Sequence, residues 1–367
     1  MSRRGITRRR LLAAAGTVLA APGCLGGSPA PAPEAAHPRA ARLSGPLRVL
    51  APDGAVPAEN RLAFAQAGSV DVDIQAAPAG SSLVALLAAG HPADVVLARQ
   101  DDVSVLGDLG LLRVLDHDRI PNLGLVDSSY LDLGYDRKNR WSAPARYGVY
   151  GFGYRRGVVT GKAAAWDDFF DLVRRYARQG ISFLPGPIHP IAAALAALDE
   201  DTNTDDDSTL ERAEALLLAA RPSVNTFSAD PVGRFGRGEL VLAMGSTADF
   251  ARVRRGPDPT ADTGFVLPQG RSEMWIDGWV MPATGRHPVT ATEWIDAQLD
   301  PVTAARAWAA SLVPAPEQAA ARLLPAAVRN DPLAMLDPAV VGRYELSAVG
   351  PAGLQKRAEI WQRVRAA

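Results

Sequence analysis

The sequence has 367 residues, of which 47% are hydrophobic, and a formal net charge of −1. Five arginines and no acidic residue occur in residues 1–23, so the rest of the chain has a net charge of about −6. That negative charge weighs against binding to nucleic acid or to an anionic membrane surface. The length exceeds what one hydrophobic core usually serves and favours two domains.

Residues 1–23 have the pattern of an export signal. Thr7-Arg8-Arg9-Arg10-Leu11-Leu12 carries paired arginines, and an apolar run extends from Leu11 to Ala21. A membrane-spanning helix needs about 20 apolar residues, so this run is too short. The pattern predicts a cleaved signal of the twin-arginine type, and the alternative is an ordinary signal with additional arginines.

Cys24 follows the apolar run directly and is the only cysteine in the chain. A single cysteine excludes an intramolecular disulfide and a thiolate-rich metal site. Its position after small residues predicts lipidation, which would hold the protein on the outer side of the cytoplasmic membrane. The alternative is a thiol that leaves with the signal. Residues 24–46 are rich in proline and alanine and predict an extended tether.

From Leu47 onward, short apolar runs alternate with helical patterns. The predicted order is strand 47–51, helix 57–67, strand 70–75, a helix capped by Ser81 or Ser82 and ending near Ala89, and strand 93–97. This β-α-β-α-β order predicts a mostly parallel sheet with helices on both faces, in which ligands bind beyond the carboxyl ends of the strands.

A second α/β region is predicted up to about Asp277. It includes a strand at residues 150–154, a helix that begins at Trp166, and an acidic loop at residues 199–208. Ser208 is the predicted N-cap of the helix that follows this loop. The loop has partial calcium-ligand spacing, but Thr204 and Leu210 replace the required glycine and glutamate, so a solvated capping loop is favoured.

The sequence contains no convincing catalytic constellation. The histidines are scattered, and the motifs of serine hydrolases, phosphate-binding loops and zinc proteases do not occur. Gly151-Phe152-Gly153 lacks the third glycine of a dinucleotide site, so close backbone packing is the better interpretation. Asp116-His117-Asp118 is read as a solvated loop. We therefore predict that the chain is not an enzyme and has no cofactor or metal.

The order of several motifs resembles the polyamine-binding (spermidine/putrescine) branch of the extracellular solute-binding proteins of ABC importers. The resemblance covers nearly all of the chain after the tether. The motifs that carry it are Ala93-Asp94-Val95-Val96, Gly110-Leu111-Leu112, Ile120-Pro121-Asn122-Leu123, Trp141-Ser142-Ala143-Pro144, Trp166-Asp167-Asp168, Gly245-Ser246 and Glu273-Met274-Trp275-Ile276-Asp277.

The resemblance implies a type II periplasmic-binding-protein fold, in which two α/β lobes with mixed, mostly parallel sheets close on a ligand. It implies chain crossings near Val149, Gly278 and Ala321. The N-terminal lobe would then comprise residues 47–148 and 278–321. The C-terminal lobe would comprise residues 149–277 and 322–367.

For the pocket, the resemblance implies that Trp275 is an aromatic wall and Asp277 a carboxylate acceptor for a ligand ammonium group. Arg99, Asp101 and Met244 fall at other pocket positions, where they replace the serine, tyrosine and tryptophan of the family. Gly186 and His189 fall where the family has two acids. Arg99 could receive a carboxylate instead, which would suit a zwitterion.

The expected function is a monomeric, exported and lipid-anchored receptor that passes a small cationic amine, first of all a polyamine, to the permease subunits of an ABC importer. A zwitterionic amino compound is the second candidate ligand. A ligand-free sensor or assembly protein on the same fold and a surface hydrolase or lyase are the alternatives from other functional classes.

Overall fold

The computed structural model describes residues 43–77, 82–256 and 262–367. Ten strands within these ranges form a mixed sheet with the path β2-β1-β3-β9-β4-β7-β5-β6, while β10 pairs with β9 and β8 pairs with β4. The strands are β1 (Leu47–Leu50), β2 (Val72–Gln75), β3 (Val95–Arg99), β4 (Ser142–Arg155), β5 (Ile181–Phe183), β6 (Thr226–Phe227), β7 (Leu242–Ser246), β8 (Thr263–Val266), β9 (Glu273–Val280) and β10 (Glu345–Leu346).

The helices lie between these strands and after β9. They are α1 (Ala58–Gly68), α2 (Leu83–Ala88), α3 (Gln100–Asp108), α4 (Trp166–Arg175), α5 (Ile188–Ala197), α6 (Asp207–Ala220), α7 (Pro231–Gly236), α8 (Thr247–Arg254), α9 (Pro288–Gln298), α10 (Pro301–Ser311), α11 (Gln318–Leu323), α12 (Ala326–Arg329), α13 (Pro338–Val341) and α14 (Pro351–Ala366).

The first three strands form the predicted parallel unit. β1 pairs with β2 on one side and with β3 on the other, both in parallel. The predicted β-α-β-α-β order is confirmed, with bounds that differ by one or two residues. Ser82 caps α2 by accepting a hydrogen bond from the backbone N–H of Ala85.

Two antiparallel strands occupy the middle of the sheet. β9 pairs with β3 on one side and with the long strand β4 on the other, both antiparallel. The carboxyl half of β4 continues into antiparallel pairs with β7 and β8. Two strands, β9 and β4, thus connect the parallel unit at one end of the sheet to the β7-β5-β6 unit at the other.

The buried apolar residues form separate cores on the two sides of this connection. One cluster contains Val149 and Ile276 together with β1, β2 and β3, whereas another contains Tyr150 and Trp275 together with α4, α5 and α6. Along β4 the side chains pass from the first cluster at Tyr147 and Val149 to the second at Tyr150 and Phe152, whereas in β9 only Trp275 faces the second cluster, between Met274 and Ile276, which both pack in the first. A third cluster joins residues 235–253 to residues 304–334.

The N-cap predicted for α6 is wrong. The helix begins at Asp207, and Asp206 accepts the hydrogen bond from the backbone N–H of Thr209, so Ser208 lies inside the first turn. Asp206 and Ser208 are both good capping residues, and Ser208 donates its hydroxyl to the Asp206 carboxylate instead.

The close backbone packing expected at Gly151 and Gly153 is present. A Cβ atom at Gly153 would lie 1.8 Å from the ring of Phe250, and one at Gly151 would lie 2.2 Å from the carbonyl oxygen of Val266. His117 contacts the backbone carbonyl of Asn139 through Nε2 at 2.8 Å.

Among the described helices, none has the length and apolarity needed to cross a membrane. The predicted export signal, Cys24 and most of the tether lie outside the described residues.

Candidate functional site

Three charged residues, Arg99, Asp277 and Arg146, lie opposite one another on the neighbouring strands β3, β9 and β4. The register of β3, β9 and β4 pairs Asp277 with Arg99 on one side and with Arg146 on the other. Because residues directly opposite each other in neighbouring strands point to the same face, the three side chains meet there.

Arg146 and Asp277 form the tightest contact of this group. Nε and Nη2 of Arg146 lie 2.8 and 2.7 Å from Oδ2 of Asp277. Nε of Arg99 lies 3.7 Å from Oδ1 of the same carboxylate. The side chain of Asp277 is only 5% exposed, whereas those of Arg146 and Arg99 are 16% and 31% exposed. The acid is therefore buried beneath two partly exposed cations.

Trp275 lies two residues before Asp277 on β9 and is buried. The guanidinium carbon of Arg99 lies 4.8 Å from the centroid of its ring, and that of Arg146 lies 6.0 Å away. Gly148 is the cross-strand partner of Trp275, and a Cβ atom there would lie 2.6 Å from the ring. The glycine thus lets the indole lie flat against β4, with Arg99 on its face.

A cavity of about 750 Å³ opens at the carboxyl ends of β1 and β3. This is where an α/β sheet of this topology is expected to bind a ligand. The charged residues that line it are Asp53, Arg99, Asp102, Arg146 and Asp277, and the other lining residues are Leu50, Ala51, Pro52, Ala76, Ala77, Leu83, Val96, Leu97 and Ala229.

A second, more deeply buried group of polar side chains adjoins Arg99. Its Nη1 donates a hydrogen bond of 2.7 Å to the hydroxyl of Tyr150. The ring of Tyr150 lies 3.9 Å from that of His189, and Nδ1 of His189 lies 3.1 Å from Oε2 of Glu273. Burial raises the pKa of Tyr150, against the opposing effect of Arg99. The hydroxyl therefore stays neutral and holds the guanidinium in place.

The pocket positions predicted from the sequence fall in three different environments. Arg99 lines the cavity. Asp101 lines a separate cavity of about 310 Å³ between α3 and residues 347–350, and burial raises its pKa to about 6, against the opposing effect of Arg99. Met244 is 1% exposed, lies opposite Phe152 in the sheet, and belongs to the apolar core instead of the cavity wall.

The sequence did not single out Arg146 or Tyr150 as site residues. Arg146 follows a recognised motif, Trp141-Ser142-Ala143-Pro144, but lies 131 residues before its partner Asp277. Only the register of β4 against β9 joins them. The position of Arg146, two residues after that motif, was the one signal in the sequence that could have marked it as a site residue.

Comparison with known proteins agrees with this architecture. The model of the family described as bacterial extracellular solute-binding protein matches residues 63–335. A spermidine/putrescine-binding periplasmic protein of Haemophilus influenzae is 27% identical over 242 residues, which cover 65% of each chain. A putrescine/cadaverine-binding protein of Pseudomonas aeruginosa is 29% identical over 227 residues, which cover 59% of this chain and 64% of the relative. The chain thus spans just under two thirds of the length of these two relatives.

A solved structure gives the same result for the fold. The spermidine/putrescine ABC transporter substrate-binding protein of Streptococcus pneumoniae superposes with a TM-score of 0.77 at 18% identity, over 87% of this chain and 98% of that one. This similarity confirms the predicted α/β, two-lobed fold class. Because the family model covers most of the sequence, the chain belongs to the bacterial extracellular solute-binding proteins.

Proposed function

We propose that this protein is the extracytoplasmic receptor of an ABC importer and binds a small organic amine in the cavity at the ends of β1 and β3. The observation that carries the proposal is the cavity itself. It lies at the ligand-binding edge of the sheet and is lined by the carboxylates of Asp53, Asp102 and Asp277. Carboxylates form charge-assisted hydrogen bonds with an ammonium group.

The relatives support the amine class. Those in Haemophilus influenzae and Pseudomonas aeruginosa are named for spermidine, putrescine and cadaverine, which makes polyamines the first compounds to test.

We also propose two lobes, one of residues 47–148 and 278–321 and the other of residues 149–277 and 322–367. The passage of β4 from the first cluster at Tyr147 and Val149 to the second at Tyr150 and Phe152 supports the first crossing, whereas the second, near Gly278, rests on the family resemblance. The third crossing, near Ala321, rests on the family resemblance alone, because the third apolar cluster continues through it.

The proposed route to the cell surface rests on the sequence of the N-terminal segment. We assign export to the arginine pair Arg8-Arg9 and attachment to a lipid on Cys24. The partner of the exported, monomeric receptor would be the permease of the importer.

The test is a thermal-shift screen of the purified protein against diamines, polyamines, amino acids and betaines, followed by calorimetry of the best compound. A ligand at 100 times its dissociation constant should add about 2.7 kcal/mol to the free energy of unfolding. If no compound in these classes raises the melting temperature, the receptor proposal fails, and a sensor or assembly protein that uses the fold without a ligand becomes the better explanation.

A further inference from the structure

The pair that could hold a ligand ammonium group, Trp275 and Asp277, is already occupied by side chains of the protein. Arg99 lies over the face of the Trp275 ring, at 4.8 Å. Arg146 contacts one oxygen of Asp277, and Arg99 lies within salt-bridge distance of the other. A ligand cation would have to displace a guanidinium from both the ring and the carboxylate.

The two arginines retain donors that the described residues do not use. A guanidinium carries five N–H donors. Arg99 uses Nη1 for Tyr150, and Arg146 uses Nε and Nη2 for Asp277. Within the described ranges, no hydrogen bond is formed by Nη2 of Arg99 or by Nη1 of Arg146, and both side chains line the cavity.

The two arginines, Arg99 and Arg146, share a single acid partner, Asp277. Asp277 contacts both guanidinium groups at the floor of the cavity and balances only one of their two charges. Arginine presents paired donors in a plane that matches a carboxylate, which makes this floor suited to an oxyanion.

The opposite charge lies elsewhere on the same cavity wall. Asp53 and Asp102 line the cavity, and neither forms a salt bridge with another residue in the part of the chain that the structure describes. Burial raises the pKa of Asp102, with Arg99 opposing the shift. The cavity therefore presents two guanidinium groups with unused donors, together with two acids, Asp53 and Asp102, that a ligand ammonium could neutralise.

We infer that the ligand is an amino carboxylate, whose carboxylate binds to Arg99 and Arg146 while its ammonium group faces Asp53 and Asp102. This inference rests on the proposed receptor function and narrows its ligand class. A bare polyamine would bring a cation to the arginines, whereas an amino carboxylate matches both poles of the cavity.

The first part of the test compares ligands that differ at one end only. Calorimetry would measure ω-amino carboxylates of increasing chain length against the diamines of matching length, for example 4-aminobutanoate against 1,4-diaminobutane. We expect at least one amino carboxylate to bind tenfold or more tightly than its matched diamine, because only the carboxylate gains charged hydrogen bonds from the arginines.

The second part changes the arginine. Arg99→Gln should weaken the best amino carboxylate by tenfold or more, and Arg99→Lys, which keeps the charge without the planar donors, should weaken it less. Arg254→Gln is the matched control, because its side chain is 29% exposed, lies 3.9 Å from Asp331 and does not line the cavity. The control should bind like the wild type.

A third comparison separates direct contact from a structural effect of the substitution. The methyl ester of the same amino carboxylate lacks the anionic charge and should bind weakly to the wild type. Its affinity should fall no further in Arg99→Gln. If the substitution weakens the ester and the free acid equally, the arginine acts only on the fold, and the inference is wrong.

The outcomes also separate this inference from the receptor proposal. Tight binding of diamines with no binding of amino carboxylates would overturn the inference and leave the receptor function intact. Failure of both series, together with the negative outcome of the broader screen, would overturn both.

Discussion

Asp277 lies in different surroundings from those that its motif predicts. The family resemblance predicts an ammonium acceptor open to the ligand, whereas the carboxylate lies beneath Arg146 and Arg99. Removing one partner from a buried ion pair leaves an uncompensated charge, and this is more costly than losing an exposed pair. The two roles therefore predict opposite effects of a single substitution.

We expect Asp277→Asn to destabilise the ligand-free protein by about 2 kcal/mol, a value reduced from that of a fully buried pair because both arginines are partly exposed. Binding of an amino carboxylate should be retained or strengthened, since the arginines lose their competing acid. Urea unfolding and calorimetry measure the two effects.

The control for this substitution is Asp331→Asn. Asp331 also faces two arginines, Arg254 at 3.9 Å and Arg255 at 3.5 Å, but lies outside the cavity. It should lose stability with no change in ligand affinity. Unchanged stability of Asp277→Asn with a large loss of amine affinity would restore the ammonium-acceptor role.

For single residues, the sequence shows which residue types the site contains better than it shows which of them contact one another. Trp275 and Asp277 are adjacent in a short motif, so one pattern reveals both. Arg146 and Arg99 reach Asp277 from strands that lie 131 and 178 positions earlier in the chain, and no local pattern encodes that convergence. Asp101 and Met244 were placed by counting positions, which cannot tell which face of α3 or β7 a side chain occupies.

Among the elements, the segment that leads into α11 contains an unusual buried acid. Glu317 is 1% exposed, and both of its carboxylate oxygens lack a hydrogen-bond partner within the described ranges. Burial raises the pKa of this carboxyl group to about 8. It lies beside a cavity of about 270 Å³ that Tyr130, Tyr147 and Trp308 also line.

The raised pKa predicts a loss of stability with increasing pH. The unfolded chain releases this proton near the ordinary glutamate value, whereas the folded protein keeps it until about pH 8. The free energy of unfolding should therefore fall between these two values, by on the order of 4 kcal/mol. Glu317→Gln should remove this fall and exceed the wild type in stability above about pH 8.

Urea unfolding of both proteins over this pH range measures the difference. Glu293→Gln serves as the control, since Glu293 is 45% exposed and pairs with Arg119 at the surface. Its pH profile should follow that of the wild type. A Glu317→Gln profile parallel to the wild type would contradict the buried, protonated state.

The strands and helices show where sequence patterns are sufficient to predict secondary structure. The β-α-β-α-β unit follows from alternation of apolar runs, because each strand there is short and is followed by a helix. The full extent of β4 cannot be predicted in this way, since Pro144 and three glycines interrupt its pattern. Its 14 residues are held instead by pairing with β9, β7 and β8, which is a tertiary effect.

For the whole molecule, the proposed attachment to the membrane depends on Cys24, which lies outside the described ranges. Changing Cys24 to alanine should release the protein from the membrane fraction or block its maturation, because it removes the thiol that would carry the proposed lipid. Fractionation with a high-salt wash, followed by immunodetection, measures the outcome. A serine elsewhere in the tether, such as Ser28, can be changed to alanine as the control, and retention of the Cys24 variant would contradict lipidation.

The long strand β4 has a mechanical consequence for a receptor of this kind. Its first half contributes Tyr147 and Val149 to one core, and its second half contributes Tyr150 and Phe152 to the other. At these points the cores are joined by paired strands, whose amides are already hydrogen-bonded, and not by free loops. A rotation between the cores would therefore have to twist β4 together with the strands that pair with it.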